Sequence, residues 1–407
     1  MLVLTFAKLW LTRGQTVCVF ANPTDPDPQY VHLAQLFAHA GTSEIFKSTE
    51  DGWHYSYWIA TNHLLGLPLL LANQLLVAAT AGLFVRALRP LPLGRLGSFA
   101  VYTLLLWYPM SFDASSMSRV TPAQIGGPIV VSVISAGAAI ALRAGKPLWR
   151  QLPWSILLGI SLALLGASAI HNLWVIPGLG LLAGGALYRS NRISVSMARI
   201  QAVSFSVAAL MGLAFCHIFP GEMVPSNNRA ESGFSLGKMI LVGDFVISSR
   251  GFSSHSPASH SDTGTMQTFR DLTGEKLTPR TDDNPPTGPI QGMVDLRKVS
   301  MLQSIGKLMR PVLLVFFVTA QIAFFWRMMT RKKSDMLPPA LLLAATIWLV
   351  ICAGLLAVTL SGPTSIQTCA PLYPLVPLFV ACVALAMPAD SNPVAYGVDS
   401  PSHSSIP

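Results

Sequence analysis

Residues 337–360 read LPPALLLAATIWLVICAGLLAVTL, 24 positions without one charged side chain. A helix rises about 1.5 Å per residue, so about 20 such residues cross the hydrocarbon core of a bilayer. Working outward from this stretch, comparable apolar runs fall at 3–21, 64–85, 97–112, 122–142, 153–170, 172–188, 200–219, 309–326 and 370–387. Several are short or split by Pro and Gly, and Lys8 and Arg13 interrupt the first. In lipid every backbone polar group must be satisfied within the protein, which helices achieve by themselves. The reading is an all-α polytopic membrane protein with about ten transmembrane helices.

Composition agrees. The chain has 407 residues, 52% of them hydrophobic and 11% charged, with a mean hydropathy of +0.52. Soluble domains carry roughly 25% charged residues, so this surface is not mostly wet. That excludes a soluble enzyme, a disordered tail protein and a disulfide-rich secreted scaffold. The five cysteines (Cys18, Cys216, Cys352, Cys369 and Cys382) form no C-x-x-C pair. Four sit within apolar runs, where Cys acts as a small hydrophobe. Cys18, Cys216 and Cys369 approach the outer surface, which leaves one disulfide open as an alternative.

The net charge of +9, from 27 Lys and Arg against 18 Asp and Glu, is a matter of topology. Short basic loops mark the cytoplasmic side. The groups are Arg86, Arg89 and Arg95; Arg143, Lys146 and Arg150; Arg189, Arg192 and Arg199; and Arg327, Arg331, Lys332 and Lys333. Threading ten spans puts all four on one face and both termini in the cytoplasm of a plasma (inner) membrane protein. Of the 18 acidic residues, only Asp335, Asp390 and Asp399 stay inside. No nucleic-acid partner is implied; the first partner is the bilayer.

This threading divides the chain. Residues 1–219 form an N-terminal membrane bundle with a first outer loop at 22–63. Residues 220–308 form a small extracytoplasmic domain between the seventh and eighth helices, with a β-compatible run from Met239 to Ile247 and a mobile polar stretch from Ser248 to Pro289. Residues 309–387 carry the C-terminal membrane helices, and 388–407 a disordered cytoplasmic tail.

Chemistry-bearing residues collect on the outer side. In Asn22-Pro23-Thr24-Asp25-Pro26-Asp27-Pro28, Asp27 reads as an N-cap with Pro at the first helical position. The helix it opens runs to about Ala40, with Tyr30, Leu33, Phe37 and Ala40 on one side and His32, Gln35 and His39 on the other. Such a helix lies in the membrane interface. Two carboxylates at its head suit a general base or a divalent cation, with Asp25 and Asp27 as ligands. The plainer reading makes them turn and cap residues.

Arg119 lies in an outer loop against the positive-inside trend and suits bidentate phosphate binding; a surface pair with Asp113 is the alternative. His171, in a short connection between two spans, is an acid–base candidate or a polar turn residue. His54 stands among Trp53, Tyr55, Tyr57 and Trp58, which form an interfacial aromatic belt or a sugar-stacking platform. The chain has no Walker A, H-E-x-x-H or G-x-S-x-G motif, and its spans are nearly free of acidic residues, which disfavours an ion-coupled transporter.

These features together resemble the GT-C class of integral-membrane glycosyltransferases, and more narrowly uncharacterised bacterial glycosyltransferase-like membrane proteins. The matching text is Ala21-Asn22 through Asp27, Tyr30-Val31-His32-Leu33-Ala34, and His63-Leu64-Leu65-Gly66-Leu67-Pro68-Leu69. Further matches are Ser118-Arg119-Val120, Leu173-Trp174-Val175-Ile176-Pro177 and Ala370-Pro371-Leu372-Tyr373-Pro374-Leu375. The resemblance implies transfer of a sugar from a polyprenyl-phosphate donor to an unknown acceptor at the extracytoplasmic face. It makes Asp27 the base or metal ligand.

There are departures. Asp25-Pro26-Asp27 stands where adjacent acidic residues are expected, and Thr121-Pro122-Ala123 where Arg and Glu are. Ala169-Ile170-His171 replaces a basic-acidic cluster. The site expected is therefore Asp27 and His171 in catalysis, Arg119, Asp25 and His54 in substrate binding, with a divalent cation as the one cofactor considered. The competing readings are a non-catalytic assembly partner and a carrier or flippase.

Overall fold

The computed structural model describes residues 1–12, 34, 53–108, 111, 123–168, 174–218, 296–330, 337–360 and 370–387. Every regular element among them is helical. In chain order these are α1 (Leu2–Thr12), α2 (Trp53–Leu64), α3 (Leu69–Ala87), α4 (Arg95–Leu106), α5 (Ala123–Leu142), α6 (Leu148–Ser168), α7 (Val175–Ile193), α8 (Val195–Ile218), α9 (Leu296–Thr330), α10 (Pro339–Leu360) and α11 (Leu375–Ala386). A short 3-10 turn, Ala370–Leu372, precedes α11.

Six of these helices (α3, α5, α6, α8, α9 and α10) are long and apolar enough to cross a membrane by length and composition. Three more, α1, α4 and α11, are apolar but shorter. The chain is a multi-pass membrane protein. The short helices have local causes. Pro109 removes a backbone donor soon after α4 and disfavours helical geometry at Tyr108, so the apolar run 97–112 becomes a helix only to Leu106. Pro371 and Pro374 hold the start of the run 370–387 in a turn, so α11 begins at Leu375. Conversely α9 starts at Leu296, within the stretch read from sequence as the extracytoplasmic segment. The rest of that segment, the Met239–Ile247 run and the C-terminal tail lie outside the described residues.

Side-chain contacts give the helices their order. Arg143, directly after α5, donates from Nη1 to Ala87 O at 3.2 Å and from Nη2 to Arg86 O at 2.7 Å, which places the ends of α3 and α5 together. Gln201 Nε2 donates to Ile140 O at 2.7 Å, and Ser190 Oγ to Gln201 Oε1 at 3.2 Å, so the α7–α8 connection joins the same end. Three of the four basic groups thus meet at one end of the bundle. At the opposite end Lys8 meets Leu106, and Tyr55 meets Gln124.

The core between the two ends is apolar and closely built. Gly159 of α6 faces α8, where an added Cβ would lie 2.5 Å from Met211 Cβ and 2.7 Å from Ala208 O. Small residues allow this approach, which lipid does not drive by itself. Phe317, Phe324, Trp348 and Phe379 stack edge-on or tilted at 5.5–5.7 Å around the Phe379 ring and lock α9, α10 and α11 together. The outside is also apolar: Leu2, Val3, Leu210, Ile322, Trp326 and Met329 are all exposed. Large apolar side chains exposed in this number suit contact with lipid.

Candidate functional site

Buried polar side chains gather at both ends of the bundle: Gln151, Ser190, Gln201 and Ser204 beside the arginines, and Lys8, Asn73, Gln74, Ser111 and Gln124 at the end away from them. Leu106 closes α4, and its carbonyl has no partner within the helix. Lys8, buried on α1, supplies one: its Nζ donates to Leu106 O at 2.6 Å and to Ser111 Oγ at 2.8 Å. An amine donor placed there satisfies one of the carbonyls that a helix C-terminus leaves open. Ser111 Oγ lies 3.0 Å from Leu106 O and 2.7 Å from Tyr108 O, and Gln74 Nε2 donates to Ser111 O at 2.9 Å. The chain after α4 is therefore clamped from α1 and α3 at once.

A second network starts one residue earlier on α3. Trp58 Nε1 donates to Asn73 Oδ1 at 2.8 Å, and Asn73 Nδ2 donates to Gln124 Oε1. Tyr55 OH reaches the same Gln124 oxygen at 3.2 Å. Successive helical residues point about 100° apart, so Asn73 serves α2 and α5 while Gln74 serves the α4 exit. Among the described residues, Ser56 Oγ is buried without a hydrogen-bond partner.

Local sequence explains how α2 comes to lie here. His63-Leu64-Leu65-Gly66-Leu67-Pro68 ends it with Gly66 at φ 65°, Gly66 N–H bonded to His63 O at 2.9 Å and Leu67 N–H to Asn62 O at 2.9 Å. Only Gly adopts this left-handed turn without strain. Pro68 then blocks continuation, and α3 starts at Leu69. Across the site, Gly126 and Gly127 bring α5 against the turn before α11: an added Cβ would lie 3.1 Å from Pro371 Cγ and 3.3 Å from Pro374 Cγ respectively.

Of the residues singled out from sequence, Asp25, Asp27, Arg119 and His171 lie outside the described residues. His54 falls within α2, but its side chain is not among those described. Of the helix expected after Asp27, only Ala34 is described; it is helical and fully buried. Cys352 and Cys382 are free thiols, and the other three cysteines lie outside the described side chains. All 18 acidic residues are outside as well, so the proposed metal ligands are too.

The described ends of the relevant segments nonetheless share one end of the bundle. Leu11 packs with Leu302 and Trp107 where segment 13–52 departs, and α2 receives it. Ser111 and Gln124 flank 112–122, and Trp174, which follows 169–173, lies against Gly354 beside Leu372.

Sequence reading passed over Lys8, Asn73, Gln74 and Gln124. Lys8 interrupts an apolar run, and the amides sit inside apolar runs that carry no motif. The available signal was general: a buried polar side chain at membrane depth must find partners, so it marks contact between helices.

No protein-family model matches the chain, and no curated protein matches it. Among solved structures it is similar to the crystal structure of ArnT from Cupriavidus metallidurans in the apo state, at 13% identity and a TM-score of 0.39. That likeness covers 94% of this chain and 74% of the other. It is too loose to carry over a topology or an activity.

Proposed function

We propose that this protein is a ten-span membrane glycosyltransferase that takes a sugar from a polyprenyl-phosphate donor at the extracytoplasmic face, with both termini cytoplasmic. Asp27 removes the acceptor hydroxyl proton or holds a divalent cation with Asp25. Arg119 contacts the donor phosphate, His171 assists, and His54 borders the sugar. The acceptor oxygen forms a bond to the anomeric carbon as the carbon–oxygen bond to phosphate breaks. Polyprenyl phosphate leaves with the electron pair. Such a reaction depends on positioning and on stabilising charge on the departing phosphate.

The resemblance at Asp27 and Arg119 supports this reading. So does the clamp of Lys8, Ser111 and Gln74, the single structural observation that carries most. It fixes the chain at Ser111, from which the segment bearing Arg119 departs. Tyr55 and Trp58 likewise anchor α2, which receives the segment bearing Asp25 and Asp27. A rigid base beneath two reactive loops is what a phosphate-directed transferase requires.

The test is thermal unfolding of the purified protein in detergent with and without polyprenyl phosphate. A ligand bound only by the folded state stabilises it by about 2.7 kcal/mol at a hundredfold excess over Kd. Stabilisation lost in Asp27→Asn and in Arg119→Ala is the expected result. No stabilisation of a folded sample rejects the proposal. It would favour the second reading, a non-catalytic assembly partner, to which the missing acidic and basic companions around Arg119 and His171 point.

A further inference from the structure

The arginines at the other end form a structured group. Arg143 is held on three sides. Its Nη1 donates to Ala87 O and Ala139 O, both at 3.2 Å, and its Nη2 to Arg86 O at 2.7 Å. The guanidinium also lies 5.0 Å from the Trp154 ring centre. These contacts use both Nη1 hydrogens and one on Nη2. The Nε hydrogen and the second Nη2 hydrogen have no partner among the described residues. Unused N–H donors of a guanidinium suit the oxygens of a phosphate or carboxylate.

Two further cations stand close by. Arg86 and Arg89 are exposed and near enough to act on Arg143. Burial first, and then these two positive neighbours, hold the Arg143 guanidinium below its ordinary range. The described residues contain no Asp or Glu, so none of them balances the three charges. A fixed, half-buried cation with unused N–H donors and two exposed positive neighbours is suited to an anion. The position identifies the source. Arg86 lies in the last turn of the span Leu69–Ala87, and Arg143 directly follows the span Gln124–Leu142, both at headgroup depth.

We propose that Arg86, Arg89 and Arg143 form a binding site for the phosphate of an anionic phospholipid, with Arg143 as the direct contact and the other two as its electrostatic collar. Membrane-surface arginines each contribute to anionic-lipid attraction, whereas a fixed fork selects the phosphate geometry. The site is separate from the sugar-transfer proposal and does not depend on it.

The experiment uses the full chain in lipid nanodiscs of phosphatidylcholine alone, of phosphatidylcholine with phosphatidylglycerol, and of phosphatidylcholine with inorganic phosphate in the buffer. Lipid retention is read by native mass spectrometry and stability by thermal unfolding. Phosphatidylglycerol is expected to be retained and to raise the unfolding temperature. The double variant R86Q/R89Q, altered only at exposed positions, should bind it more weakly by on the order of tenfold. R192Q/R199Q removes the same charge from the facing ends of α7 and α8 and should bind it as the parent does. Equal weakening in both double variants would mean a diffuse surface potential and overturn the site. An equal rise with inorganic phosphate alone would overturn the lipid as its ligand.

Discussion

Gln124 shows how much one side chain does at this membrane depth. Its Oε1 accepts from Asn73 and from Tyr55, and so joins three helices through a single oxygen. Removing that oxygen leaves the Asn73 amide buried without an acceptor, a loss that lipid cannot make good as water would. Gln124→Leu and Asn73→Leu should therefore each lower stability, and the double variant should lose less than the sum. Interhelical bonds of this kind couple by about 0.6–1.7 kcal/mol. A double-mutant cycle on thermal unfolding in detergent measures it; additive losses would show that the bond contributes nothing. Lys8 belongs to the same scale. It interrupts an apolar run in the sequence, yet its amine serves the open carbonyl end of α4.

At the scale of elements, the packing of α6 against α8 rests on Gly159. A Cβ there would overlap Met211 and the backbone carbonyl of Ala208, at 2.5 Å and 2.7 Å. Backbone cannot swing aside as a long side chain can, so the helices must separate. Gly159→Val should destabilise by about 1–3 kcal/mol, the usual cost of overfilling a packed contact. Gly184→Ala on α7 is the control, because nothing lies within 4 Å of its added Cβ. It should be neutral or slightly stabilising, since Ala is the better helix former by about 1 kcal/mol. Comparing the two unfolding temperatures distinguishes a steric effect from general intolerance of Gly substitution.

Across the whole molecule, charge separates the two ends. Arg86, Arg143 and the α7–α8 connection meet at one end, and the polar network of Lys8, Asn73 and Gln124 lies at the other. If the basic end faces the cytoplasm, a cysteine at exposed Lys146 should resist a membrane-impermeant thiol reagent in intact cells. One at exposed Tyr57, on α2, should react. The labelling should be done in a chain whose own cysteines are replaced; reversed labelling would invert the topology.

The amino-acid sequence by itself determined that this is a helical, membrane-embedded chain, because hydrophobic length and the scarcity of charge are local properties that bilayer thickness reads directly. It also placed the basic groups, since like charges in short loops follow from where the apolar runs end. Helix limits departed from the apolar runs where Pro or Gly acts on its neighbours, as at Gly66, Pro109 and Pro374. What the tertiary structure decided was pairing. Nothing local to Lys8 names Leu106 and Ser111, nor does anything around Gln124 name Asn73 and Tyr55. Those partners lie tens of residues away along the chain, and they meet because a polar group carried into an apolar interior stays there only where another helix satisfies it.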